Sequence, residues 1–334
     1  MGGHVTVVIV NWNGEGYLER CLSSLRQQTY ADFEVLLVDN GSSDGSAALV
    51  RERFPEVRLL ALERNAGFAT GNNLGIRASQ GAYVATLNND TEAEPGWLAA
   101  LVAGMEAAPR VGMCASKMLF FHQRERINST GIAVDRLGIA WDRDGGRLDA
   151  GAGLALGEVF GPCAGAALYR RELLEETGGF DDGYFYLYED VDLAWRARLL
   201  GWRAWYCPAA RVYHVHAGAG TEGSPMKSYL LARNRIWTLI KDYPGPQWYV
   251  RLPLIWLYDL LAVGYSLLRR GDAQTLRGRL AGYAAFPRLW PQRVAIQRRR
   301  QVSWPALARQ MAPLSGPFRV WRRFAHLSRR ADRL

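Results

Sequence analysis

Four runs of six mostly apolar residues punctuate the first part of the chain: Val5–Val10, Phe33–Val38, Val57–Leu62 and Ala82–Leu87. The first, Val-Thr-Val-Val-Ile-Val, is almost wholly β-branched, the pattern of a strand buried on both faces of a parallel sheet. Between the first two runs, Leu18, Cys21, Leu22 and Leu25 recur at helical spacing. A second helix is predicted from about Asp44 to Phe54, and a glycine-rich third over Gly67 to Ala78. Such alternation predicts an α/β, doubly wound, Rossmann-like nucleotide-binding sheet whose ligands gather at the carboxyl ends of the strands. Polar residues stand at each of those ends: Asn11 and Asn13, then Asp39, then Arg64 and Asn65, then Asn88, Asn89 and Asp90.

Further along, residues 110–160 mix short apolar runs with Gly- and Asp-rich stretches and read as loops and hairpins over the site. The acids Glu189, Asp190 and Asp192 crowd the first turn of a helix predicted to end at Gly201. A last strand, Ala204 to Cys207, precedes Val212–His216, with His214 and His216 on one strand-like face. From Met226 the character changes to long helices rich in Arg, Trp and Leu. The expected division is a catalytic domain over 1–225 and a basic helical region over 226–334.

Composition, 49% hydrophobic and 22% charged, is that of a folded protein. Cys21, Cys114, Cys163 and Cys207 are too scattered for a zinc or disulfide framework and fit a reducing compartment. The N-terminus has no basic segment of the kind that opens a signal peptide, so the sequon at Asn128 is expected to carry no sugar. Charge is more telling. Residues 1–226 hold 20 basic and 28 acidic residues, net −8, whereas residues 227–334 hold 21 and 4, net +17. An anionic surface is the expected partner of the tail. Tyr249–Leu268, interrupted by Arg251 and Asp259, is read as too short and too polar to cross a bilayer. It suits an interfacial helix, with Arg269, Arg270, Arg277 and Arg279 facing anionic lipid at the cytoplasmic face of the membrane. Arg298–Arg300 and the pairs at 322–323 and 329–330 add to that attraction. A helical subdomain packed on the catalytic domain is the other reading of the same stretch. No nucleic-acid-binding module is recognisable, so nucleic acid is not expected as a partner.

The polar strand ends have two readings each. Asp90 suits a divalent cation bridging a diphosphate, or an Asx-turn. Asp39 suits a nucleobase or ribose, or a turn. The acids at 189–192 suit a helix cap with an Asp192–Arg196 pair, or a poised general base whose pKa is raised by its neighbours.

Six motifs in order weigh these alternatives: Val5–Asn13, Val38–Asp44, Arg64–Gly75, Leu87–Thr91, Gly179–Asp181 and Glu189–Leu193. Together they resemble family 2 glycosyltransferases, in particular the rhamnosyltransferase-like branch acting on bacterial surface polysaccharides. The resemblance implies a GT-A fold with a mixed sheet, and inverting transfer from a dTDP- or UDP-linked sugar, rhamnose first, to a lipid-linked or polysaccharide acceptor. It puts Asn11, Asn13, Asp39, Arg64, Asn65, Asn72 and Asn89 on the nucleotide-sugar. Asp190, with Glu189 beside it, matches the catalytic base. Asp90 matches the last residue of an Asp-x-Asp motif that holds Mg²⁺ or Mn²⁺, and His214 a histidine that joins the metal; Asn88 stands where the fuller motif has an acid. Two alternatives share the fold. A nucleotidyltransferase is disfavoured because no glycine- and lysine-rich loop follows the first strand, and an inactive membrane adaptor because the acids are intact.

Overall fold

The computed structural model describes residues 3–149, 155–216 and 224–314. The first seven elements follow the expected alternation: β1 (Val5–Asn11), α1 (Glu15–Leu25), β2 (Phe33–Asp39), α2 (Ser46–Arg53), β3 (Arg58–Ala61), α3 (Phe68–Ala78) and β4 (Tyr83–Asn88). Strand β1 runs parallel between β2 and β4, with Asn11 level with Asp39, so the polar strand ends face one edge. Val5, Val7, Val8 and Ile9 are wholly buried, as a β-branched strand covered on both faces should be. Helix α3 lies close over β1 because Gly71 and Gly75 carry no side chain; a Cβ at either would run into Val10 or Val8.

The chain continues through β5 (Thr91–Ala93), α4 (Trp97–Glu106), β6 (Val111–Phe120), β7 (Gln123–Ser129), β8 (Ile132–Val134), β9 (Ala140–Asp142), β10 (Gly157–Val159), β11 (Ala166–Arg170), α5 (Arg171–Thr177), α6 (Glu189–Leu199) and β12 (Arg203–His214); β8 and β9 pair with each other in a small separate sheet, and the other strands join the large one. Strand order is β10-β12-β6-β11-β4-β1-β2-β3, with β11 antiparallel to both neighbours; the sheet is mixed. Here the reading of residues 110–160 as loops and hairpins is corrected. β6 is a ten-residue strand with nine residues buried, interior to the sheet. Its polar residues hid it from an apolar pattern, yet each has a partner. Ser116 accepts from the Trp97 indole at 2.8 Å, and Lys117 pairs with Asp149 at 2.9 Å. The predicted last strand is likewise longer, running unbroken to His214 through a register shift between Cys207 and Arg211.

The chain divides into two compact units. One holds the large sheet. The second takes Ala133–Trp141 and Arg198–Gly201 together with the chain from residue 219. Its helices are α7 (Pro225–Asp242), α8 (Gly245–Arg270), α9 (Gln274–Ala284), α10 (Phe286–Arg299) and α11 (Trp304–Arg309). Charged side chains stitch this unit from within: Asp259 of α8 meets Arg235 of α7, and Arg279 (3.3 Å) and Tyr283 (2.9 Å) of α9. Arg293 donates to the carbonyls of Ile240 and Tyr243, both at 2.8 Å. Two expectations change as a result. Helix α8 has 26 residues and is long and apolar enough to cross a membrane, by length and composition only. Arg279 does not face outward; it is turned onto Asp259 and the Ala232 carbonyl. The Arg pairs at 322–323 and 329–330 lie outside the described residues.

Candidate active site

Asn11 is the hub of the strand-end cluster. Its amide nitrogen donates to Asp39 Oδ1 (3.1 Å) and Ser42 Oγ (3.2 Å), and its oxygen accepts from Asn89 Nδ2 (2.7 Å). Three strand ends, β1, β2 and β4, are thereby tied through one buried side chain. Asn13 sits in the left-handed region (φ 51°), which Asn tolerates, and its oxygen caps the Ser43 amide at 2.8 Å. The loop after β3 is shaped by Asn40, which sequence reasoning left out of the site: it donates to Asn65 Oδ1 and the Gly67 carbonyl and accepts from the Ala66 amide. Arg64 is exposed at that loop, and Trp12, 48% exposed, stands between Asn11 and Asn13. The structure does not gather Asn72 with this group. It is buried and donates to the Phe68 carbonyl of its own helix, while Asn73 reaches across to the Phe180 carbonyl and Asp182.

Asp90 and His214, 124 positions apart, meet because β5 pairs antiparallel with β12 and sets His214 opposite Thr91. His214 Nε2 lies 3.1 Å from Asp90 Oδ1 and 3.3 Å from Asn88 Nδ2, and both His214 and Asp90 are buried. On the other side of the ring, His214 Nδ1 lies 2.9 Å from Asn128 Oδ1. An amide oxygen only accepts, so Nδ1 donates to Asn128, and Nε2 is the ring nitrogen that faces Asp90 and Asn88. His216 is beyond the end of β12, exposed and at φ 62°, yet its ring meets that of His214 edge-on, with centroids 5.4 Å apart.

Asp190 opens α6, after a segment in which Phe185, Leu187 and Tyr188 all have positive φ, strained for residues with side chains. Its Oδ2 accepts from the Ala164 amide at 3.1 Å. The next residue, Gly165, accepts from the Asn88 amide at 2.8 Å, so two residues of backbone link Asp190 to the strand end that carries Asp90. Burial pushes the Asp190 carboxyl up to about 6, Asp142 adding to the rise against the backbone hydrogen bond from Ala164. Glu189 is raised well above the carboxylate range by burial and by the charge on Asp190, and its Oε2 is buried with no hydrogen-bond partner among the described residues. Asp192 is fully buried, accepts from Tyr184 Oη (3.0 Å) and Arg196 Nε (2.8 Å), and so holds α6 in place.

Glycosyl transferase family 2 matches residues 6–178, the stretch that builds all but one of these strand ends. The chain is also 31% identical over 301 residues to the N-acetylglucosaminyl-diphospho-decaprenol L-rhamnosyltransferase of Mycobacterium tuberculosis, covering 82% of this chain and 95% of that one. This chain belongs to family 2 of the glycosyl transferases. Among solved structures, the glycosyltransferase is similar to S. aureus TarS 1-349 (TM-score 0.58, 17% identity, 88% and 83% of the two chains). It is also similar to the mannosyltransferase PcManGT of Pyrobaculum calidifontis in complex with GDP-Man and Mn²⁺ (TM-score 0.53, 21% identity, 92% and 78%). The fold is GT-A, and the enzyme is rhamnosyltransferase-like.

Among the described residues of this glycosyltransferase, no three His, Cys, Asp or Glu side chains converge as a metal group. One carboxylate and one imidazole do converge, with His214 Nε2 3.1 Å from Asp90 Oδ1. Carboxylate oxygen and imidazole nitrogen are donors of the kind that suit a divalent cation. Sequence reasoning missed Asn128 because its only visible signal was a sequon, and Ala164 because a backbone amide leaves no signal at all.

Proposed function

We propose that this glycosyltransferase moves a sugar, rhamnose first, from a dTDP- or UDP-linked donor to a lipid-linked acceptor with inversion at the anomeric carbon. The acceptor reading is supported by the mycobacterial relative, whose name specifies a diphospho-decaprenol and L-rhamnose. The single observation that carries the chemistry is the two-residue link from Asp190 through Ala164 and Gly165 to Asn88, which ties a carboxylate of raised pKa to the edge where Asp90 and His214 meet.

The acceptor hydroxyl oxygen attacks the anomeric carbon as its proton passes to an Asp190 carboxylate oxygen. The bond from that carbon to the diphosphate oxygen breaks, and the nucleoside diphosphate leaves with the electron pair. Asp90 and His214 would hold Mg²⁺ or Mn²⁺, which supplies positive charge against the departing diphosphate. Asn11, Asn13, Asp39, Arg64, Asn65 and Asn89 would bind and orient the nucleotide. Glu189 is held above the usual carboxylate range by burial and by Asp190, whereas Asp190, pushed up to about 6 by burial, ionises near neutral pH.

The test is product analysis with the purified enzyme, dTDP-rhamnose and a polyprenyl-diphospho-sugar acceptor. Nucleoside diphosphate release coupled to glycosylated lipid supports the reading; pyrophosphate release, or no turnover with any nucleotide-sugar, overturns it. Asp190→Asn should lower kcat by at least about 100-fold while donor binding persists.

A further inference from the structure

Helix α8 is built inside out. Its buried residues are Trp248, Ile255, Asp259 and Ser266, a single stripe that includes its one acid. Each end and the middle of the stripe rests on polar or charged groups of the same helical unit. Trp248 lies under the Arg293 guanidinium, 5.3 Å from the ring centroid. Asp259 is held by Arg235, Arg279 and Tyr283. Ser266 bonds Thr275 at 3.0 Å. At about 100° per residue, the opposite stripe is Val250, Leu254, Leu257, Leu261 and Leu268, exposed by 70, 36, 50, 50 and 87%. Trp256, 51% exposed, stands on the side of the helix between the two stripes, about 100° from Leu257. Only 17% of the most apolar 18-residue window is buried. Ordinary surface helices put such residues inward and their acids outward.

We propose that this outward stripe of α8 docks on an anionic lipid bilayer, with the helix lying in the plane of the interface. Charge selects lipid over a second copy of the chain. Arg269 and Arg270 end the helix and are exposed, Arg277 of α9 is exposed too, and residues 227–334 carry a net +17. Two such surfaces repel each other, whereas an anionic headgroup layer attracts them. The orientation follows from the buried stripe. It spans about 27 Å of helix and is lined by Arg293, Arg235 and Arg279 over most of its length, so hydrocarbon cannot surround the helix as it would a membrane span. Leucines at headgroup depth and arginines at the phosphates satisfy both faces.

Vesicle binding needs neither donor nor acceptor, so this inference stands or falls apart from the transfer reaction. The full chain is sedimented with phosphatidylcholine vesicles and with mixed phosphatidylcholine–phosphatidylglycerol vesicles. Binding to the mixed vesicles is expected, and Leu257→Glu/Leu261→Glu should weaken it by more than about tenfold with melting temperature and nucleotide release unchanged. Brominated lipids report depth: quenching that is lost in Trp256→Phe should be stronger from bromine near the headgroups than from bromine at the bilayer centre. Binding unaffected by the double substitution, deeper quenching, or a dimer dissolved by the same substitutions without vesicle binding would each overturn the proposal.

Discussion

Asn128 illustrates how one amide orients a histidine proposed to hold a metal. It touches no predicted ligand position in the sequence, yet its oxygen fixes the proton on His214 Nδ1 and leaves Nε2 toward Asp90. Asn128→Ala should weaken Mn²⁺ binding, read by the metal's paramagnetic signal or by metal-dependent thermal shift, by about 10- to 100-fold. The metal-free melting temperature should change far less than for removal of a core side chain. Asp190 makes a second prediction, in which activity and stability move in opposite directions. Burial holds its carboxyl at about 6 in the fold, above the ~3.9 of an unfolded chain. The folded state therefore keeps the proton longer than the unfolded one, and the contribution this makes to stability is present below the unfolded value and lost as pH climbs through about 6. As the proposed base, Asp190 must be ionised to act, so kcat/KM should rise over the same interval. In Asp190→Asn the fall in melting temperature between pH 4 and pH 7 should be shallower than in the parent enzyme; an unchanged slope would mean that another group sets it.

Elements show why local pattern succeeded in one half of the sheet and failed in the other. β1, β2 and β4 are parallel and largely buried, β3 pairs parallel with β2 at the sheet's edge, and all four carry few polar residues, so hydrophobic runs reveal them. β6 is as deeply buried, but Ser116 and Lys117 are satisfied by Trp97 and Asp149, partners 19 and 32 residues away. No window of sequence contains that compensation. Helix α3 carries its own testable constraint. Gly75 backs onto Val8 with no room for a Cβ, so Gly75→Val should lower unfolding free energy by roughly 1–3 kcal/mol or more in a denaturant titration. An unaffected midpoint would show that α3 can shift off the strand at no cost.

At the scale of the whole molecule, charge is divided along the chain. Basic residues divide almost evenly, 20 in residues 1–226 and 21 in residues 227–334, whereas 28 of the 32 acids lie in the first stretch, so the net charge is −8 there and +17 in the second. Attraction of exposed cations to a lipid surface is screened over about 10 Å at 0.1 M salt and about 3 Å at 1 M. Vesicle binding by α8 should therefore weaken with salt but keep a residual part from its leucines, whereas a purely electrostatic contact would vanish.

Read alone, the sequence determined the parallel half of the sheet, the set of polar strand ends, the acidic start of α6 and the basic tail, because each depends on neighbours a few residues apart. Tertiary structure decided what required distant partners. It brought His214 to Asp90 across 124 positions, and it tied Asp190 to the Ala164 amide. It also turned Asp259 from an apparent interruption of an apolar helix into the residue that anchors its inner face, leaving the leucines outside. The physical reason is the same in each case. A polar side chain is tolerated in a buried place only when another group arrives to satisfy it, and chain topology, not local pattern, determines which group arrives.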